Sequence, residues 1–130
     1  MSAVCLIVAG VVRATLPTEQ FTLSWLHSVE KTRWEETYRV DGDRLALIEA
    51  RIQGMGAGME PAADARFADG WWTWRPKVAP LPAIQLSRSP FTRDYDVCFA
   101  SRCAELGALT GAVDATETSI VTLRPCRSSG

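Results

Sequence analysis

Glycine-bearing turn dipeptides recur between runs of β-branched and aromatic residues, and no window of the chain holds a sustained helical apolar period. Asp41-Gly42 and Asp69-Gly70 each offer the positive φ angles of a two-residue hairpin turn at little steric cost. Ala9-Gly10 separates two further β-rich runs, 4–8 and 11–16. The remaining strand candidates are 20–28, 34–40, 44–53, 64–68, 71–75, 83–88, 94–99, 103–106 and 119–123. Only 104–115 admits a short helix, and Pro76, Pro80 and Pro82 place an extended connector along a sheet edge. Short strands between closely spaced turns predict an all-β fold, an antiparallel sandwich or a small open barrel. At 130 residues the chain is expected to form one domain over 1–126, with a frayed tail at 127–130.

A hydrophobic content of 47% with 22% charged residues is enough to build a core. The net charge of −1 supplies no basic field for phosphates, so nucleic acid is excluded as a partner. The longest apolar run falls short of the roughly 18 residues of a membrane-spanning helix, so no membrane insertion is expected. Val4-Cys5-Leu6-Ile7-Val8-Ala9 lacks a preceding basic residue and is interrupted downstream by Arg13, which favours a strand over a signal core. The expected compartment is therefore the cytoplasm, with the periplasm as the alternative.

The four cysteines fit several states. The favoured one is four buried thiols in a reducing cytosol. Cys98 and Cys103 flank a four-residue loop that a hairpin-closing disulfide could span, and Cys5 with Cys126 could pair if the terminal strands are neighbours. The spacing does not match the usual zinc sites.

Period-two alternation locates one polar cluster. Phe21, Leu23, Trp25 and His27 share a face of one strand, and Trp34, Glu36, Tyr38 and Val40 share a face of the next. Pairing the two faces predicts Trp25 opposite Tyr38 and His27 opposite Glu36. The neighbouring allowed register sets Trp34 opposite His27. A buried carboxylate needs a partner, and His27, Lys31 or an arginine could serve Glu36. The pair is either a structural ion pair closing the sheet, which is the favoured alternative, or the lining of a small polar pocket. Ser28 points away from His27, so nucleophilic catalysis is not expected.

Gly54, Gly56 and Gly58 alternate in a second unusual segment that ends at Glu60-Pro61. It fits a bulge or tight crossover, or a loop turning its N–H groups to an anion, although no lysine follows as a phosphate loop requires. Trp72 and Trp74 should share a face, leaving Trp71 on the other to meet a ligand or partner.

The segments Phe21-Thr22-Leu23-Ser24-Trp25-Leu26-His27-Ser28-Val29-Glu30-Lys31-Thr32, Trp34-Glu35-Glu36 and Gly56-Ala57-Gly58-Met59-Glu60-Pro61 resemble the bacterial proteins grouped as domain of unknown function 1850. The family pattern is a His-Ser-Val segment, a following Glu, a hydrophobic-polar strand and a Gly-Ala-Gly-Met loop, and the resemblance covers residues 4 to 100. It implies an accessory role beside TRAP-type transporters, particularly those with TAXI-type solute receptors, and many members carry an N-terminal membrane or export segment. It supplies no catalytic residues.

The resulting expectation is a non-enzymatic accessory or small-ligand-binding protein of TRAP-type solute uptake. Its partner would be a transporter component or the solute receptor, and its small polar ligand would meet His27, Ser28, Glu30, Lys31, Glu36, Gly56 and Gly58. No cofactor, metal or catalytic residue is assigned. The alternative is a small metal-dependent or general acid/base enzyme centred on His27 and Glu36, with Glu30. One histidine is few for a metal site.

Overall fold

The computed structural model describes residues 1–26, 32–54, 63–89, 93–111 and 119–127. In chain order the elements are β1 Ser2–Val8, β2 Val11–Leu16, β3 Gln20–Leu26, β4 Arg33–Asp41, β5 Arg44–Gln53, β6 Arg66–Ala68, β7 Trp71–Trp74, β8 Ile84–Arg88, β9 Asp96–Phe99, β10 Arg102–Glu105, α1 Leu106–Thr110 and β11 Ser119–Arg127. They form a four-stranded sheet, β2-β1-β11-β8, and a seven-stranded sheet, β10-β9-β3-β4-β5-β7-β6. Every strand pair is antiparallel, and the sheets stay open instead of closing into a barrel. The fold is an all-β sandwich.

Turn chemistry sets the hairpins. Ala9-Gly10 and Asp69-Gly70 both carry paired positive φ angles, +50° with +77° and +53° with +85°, and join strands through two-residue turns. The turn expected at Asp41-Gly42 lies one residue later. Asp41 stays in the ladder opposite Arg44, and Gly42 at φ +62° takes the first central position. That position alone needs positive φ in a II′ turn, so glycine there frees Asp41 for pairing. Arg127 remains in a strand, opposite Ser2. The proline-rich connector runs along the edge of β5, where Leu45 and Leu81 exchange backbone hydrogen bonds of 2.7 and 2.9 Å.

The expectation of buried free thiols is overturned. Ala100 and Ser101, at φ +51° and +66°, close the β9–β10 hairpin and set Cys98 opposite Cys103, where a disulfide joins them. β1 and β11 are neighbours, and a second disulfide links Cys5 to Cys126 diagonally across the pair.

The core lies between the sheets. Val4 and Leu6 of β1, and Val121 and Leu123 of β11, meet Phe21 and Leu23 of β3, Tyr38 of β4, Leu45 of β5 and Val97 of β9. Burying such side chains contributes about 1.5–3 kcal/mol each against the entropy of ordering the chain.

One ion pair closes an end of this sandwich. Arg88, at the end of β8, is 9% exposed and forks onto Asp94 through bonds of 3.0 and 3.1 Å. Asp94 also accepts the N–H of Gly107 at 2.6 Å, in the first turn of α1. Arg88 donates to the Gly111 carbonyl at 3.1 Å, just past the last turn. A five-residue helix cannot nucleate by itself, so the pair satisfies both of its ends and holds Leu106 in the core. Gly107 permits this approach, since a Cβ there would stand 2.6 Å from the guanidinium.

Asp94→Ala is therefore expected to cost about 3 kcal/mol, because a buried guanidinium loses its partner. Gly107→Ala should cost about 1–3 kcal/mol by overpacking. Urea unfolding checks both. A midpoint unchanged in Asp94→Ala would show the pair to be solvated and dispensable.

Candidate functional site

The site is built by the register of β3 on β4. Phe21 pairs with Tyr38, Leu23 with Glu36 and Trp25 with Trp34. The two sets of inward residues do share a face as the alternation required, but the register differs from both expected ones. Glu36 lies opposite Leu23 and, on its other side, Ala50 of β5, not opposite His27. The cause is aromatic pairing. Phe21 stacks on Tyr38 with centroids 5.6 Å apart, and Trp25 on Trp34 at 6.3 Å. A two-residue slip along the face would break both stacks.

The outward face of the same sheet is a polar ladder. Thr22 and Thr37 share a hydrogen bond of 2.8 Å, Ser24 donates to Glu35, Arg51 pairs with Glu35 at 3.1 Å, and Arg33 pairs with Asp96. Trp71 faces this side as its position predicted, but its ring is covered by the Arg51 guanidinium at 4.2 Å.

The inward face continues past the main core. Trp25 and Tyr95 pack at the core's border, and beyond them the ladder carries Trp34, Ile52 and Trp72 in neighbouring positions of β4, β5 and β7. Trp25 meets Tyr95 at 5.7 Å and Phe67 meets Trp72 at 5.0 Å. Within this aromatic surface sits one acid, Glu36. Its Oε1 accepts a 3.1 Å hydrogen bond from the Tyr38 hydroxyl. Burial pushes the Glu36 carboxyl above the usual range, and the Tyr38 bond only partly offsets this. Burial, and then the Glu36 charge, raise the Tyr38 phenol strongly and that of Tyr95 more modestly. Among the described residues the ion pairs are Arg33–Asp96, Arg51–Glu35 and Arg88–Asp94, and none includes Glu36. Among the described residues, two further buried polar atoms, the Trp72 indole nitrogen and the Thr32 hydroxyl, have no hydrogen-bond partner.

Of the residues chosen from sequence, His27, Ser28, Glu30, Lys31, Gly56 and Gly58 lie outside the described residues, and Glu36 lies within them. Their described flanks are close together: a Cβ on Gly54 would meet the Thr32 side chain at 3.5 Å. Trp25, Trp34 and Tyr38 carried a signal, the inward alternation, but it marked them as core. Tyr95 carried none, since β9 reaches β3 only through a non-local pairing. No group of three potential metal ligands forms among the described residues. Elsewhere, a groove of about 400 Å³ is lined by Glu49, Asp64, Arg66, Thr73, Trp74 and Arg75.

The raised carboxyl has a signed consequence. A carboxyl whose folded pKa exceeds its unfolded value contributes stability below the unfolded pKa and loses it as pH rises through the folded pKa. Glu36→Gln keeps an oxygen for Tyr38 and removes the charge. It should raise stability by about 1 kcal/mol at neutral pH, a gain that shrinks towards about pH 4. Thermal unfolding across that range checks it. A variant less stable than the parent at neutral pH would mean that Glu36 has a stabilising cationic partner.

The family described as Domain of unknown function (DUF1850) matches residues 21–106 of the chain. That span holds the seven-stranded sheet almost entire, with Glu36 and its aromatic surround, while β1, β2 and β11 lie outside it. No match was found among curated proteins or among solved structures.

Proposed function

The chain belongs to the family described as Domain of unknown function (DUF1850), and from that premise we propose a non-enzymatic, small-ligand-binding accessory protein of TRAP-type solute uptake. The observation that carries the binding role is Glu36. A half-buried carboxylate held, among the described residues, by one neutral phenol, in a surface of indole and phenol rings, is a costly arrangement for a purely structural position. Small-molecule sites have this composition, an apolar and aromatic lining with a few placed polar groups. His27, Ser28, Glu30, Lys31, Gly56 and Gly58 belong to the proposal as further ligand contacts, on the strength of their place in the sequence. A transporter component or its solute receptor is the proposed partner.

The proposed compartment is an oxidising one, the periplasm. All four cysteines are paired, and structural disulfides persist where thiols are not kept reduced. The Cys5–Cys126 link spans 121 residues, so opening it releases much chain entropy to the unfolded state. Replacing both cysteines by serine should lower stability by about 4 kcal/mol. A purified protein with four reactive thiols and unchanged unfolding under reductant would remove the argument for the compartment.

Binding is tested by thermal unfolding against organic acids, amino acids, amines and divalent metals. A ligand selective for the folded state raises the midpoint by an amount set by its concentration over its Kd. One class should raise it, and Glu36→Gln or Trp34→Leu should abolish the rise. If no class acts on the parent protein, the polar cluster is structural and the proposed role fails.

A further inference from the structure

We infer that the face around Glu36 takes an alkylammonium solute, with its charged head on the carboxylate and its apolar stem against Trp25 and Trp34. This rests on the binding role proposed above and adds the chemical class of the ligand.

Charge decides the head group. An ionised carboxylate only accepts hydrogen bonds, and among the described residues Glu36 receives one, from Tyr38. Its other acceptor positions call for a donor, and its charge calls for a cation. An anionic solute would be repelled. A neutral apolar solute would strip more water from the carboxylate and return nothing. A hard metal ion requires several oxygen ligands, whereas the neighbours of Glu36 on this face are phenols, indoles and aliphatic side chains. An alkylammonium head supplies charge and N–H donors together.

The rings decide the stem. Trp25 lies diagonal to Glu36 across the β3–β4 ladder, and Trp34 lies two residues from it on the same strand and face. Tyr95 joins the group through its contact with Trp25 and feels the Glu36 charge. Indole and phenol faces attract cations and pack against alkyl chains, and diagonal neighbours stand about 7 Å apart, within reach of one small solute.

The test compares n-butylammonium with n-butanol and with butyrate, on the whole chain, by thermal unfolding and by tryptophan fluorescence titration. At saturation n-butylammonium should raise the midpoint by about 5 °C, while the alcohol and the acid at equal concentration do not. Glu36→Gln should weaken n-butylammonium by about tenfold or more, and Trp25→Leu should weaken it while leaving the carboxylate in place. A rise that persists in a folded Glu36→Gln places the cation elsewhere and overturns the inference. A rise caused by butyrate or butanol and lost in Trp25→Leu also overturns it, while leaving a binding site on this face. No rise with these probes or with the wider set of solute classes overturns both.

Discussion

Two aromatic stacks, Phe21 on Tyr38 and Trp25 on Trp34, hold β3 against β4, and most of the larger sheet is built outward from that pair. β9 adds to the free side of β3 and β5 to the free side of β4, so their registers inherit the one the rings select. The side-chain period of a strand is two, so this choice also assigns each residue its surroundings. It buries Phe21 and Leu23 under the smaller sheet and carries Trp25 and Trp34 to the border of the core and beyond. Glu36, fixed between them, cannot turn outward without moving both stacks. The acid is inside because the rings on either side of it are.

The sandwich itself was legible, for local reasons. Alternation and glycine turns act over a few residues, and the strands they mark lie within two residues of those found, except that β11 runs four residues further, to Arg127. The face of Glu36 followed from parity alone. Its partner did not, because parity permits several registers and the choice among them depends on which rings meet. The two-residue turn at Gly42-Asp43 shows the same limit, since Asp-Gly marks a turn but not which of its residues stays in the ladder. The hairpin-closing Cys98–Cys103 disulfide lay within local reasoning, and the Cys5–Cys126 disulfide lay beyond it. That Cys5 lies beside Cys126 depends on the terminal strands becoming neighbours, a contact spanning 121 positions.

Arg88 and Asp94 illustrate the same point in a charged pair. Six positions apart, they carry no motif, and an arginine in an alternating strand reads as a solvated side chain. Their burial makes sense only after β8 joins the smaller sheet and α1 is found to be one turn long. The pair then gathers the N–H of Gly107, the N–H of Tyr95 and the carbonyl of Gly111. Such a pair is a poor source of net stability, but it is expensive to break. Its effect is to fix where the short helix sits, and with it Leu106 and the start of β9.

Two partly buried acids among the described residues, Asp94 and Glu36, thus do opposite things. Asp94 is saturated, by a forked guanidinium and two backbone N–H groups, and its charge is satisfied within the fold. Among the described residues Glu36 holds a single phenol, and burial pushes it towards its neutral form. The same chain therefore can satisfy an inward carboxylate completely, and among the described residues Glu36 receives only the Tyr38 hydrogen bond. Folding alone would favour glutamine or an aliphatic residue there, packed between Leu23 and Ala50. Sites that bind or react commonly carry such a local cost, since the groups left unsatisfied by the fold are those a ligand can satisfy. The proposed binding role of Glu36 rests on this difference between the two acids more than on the burial of either.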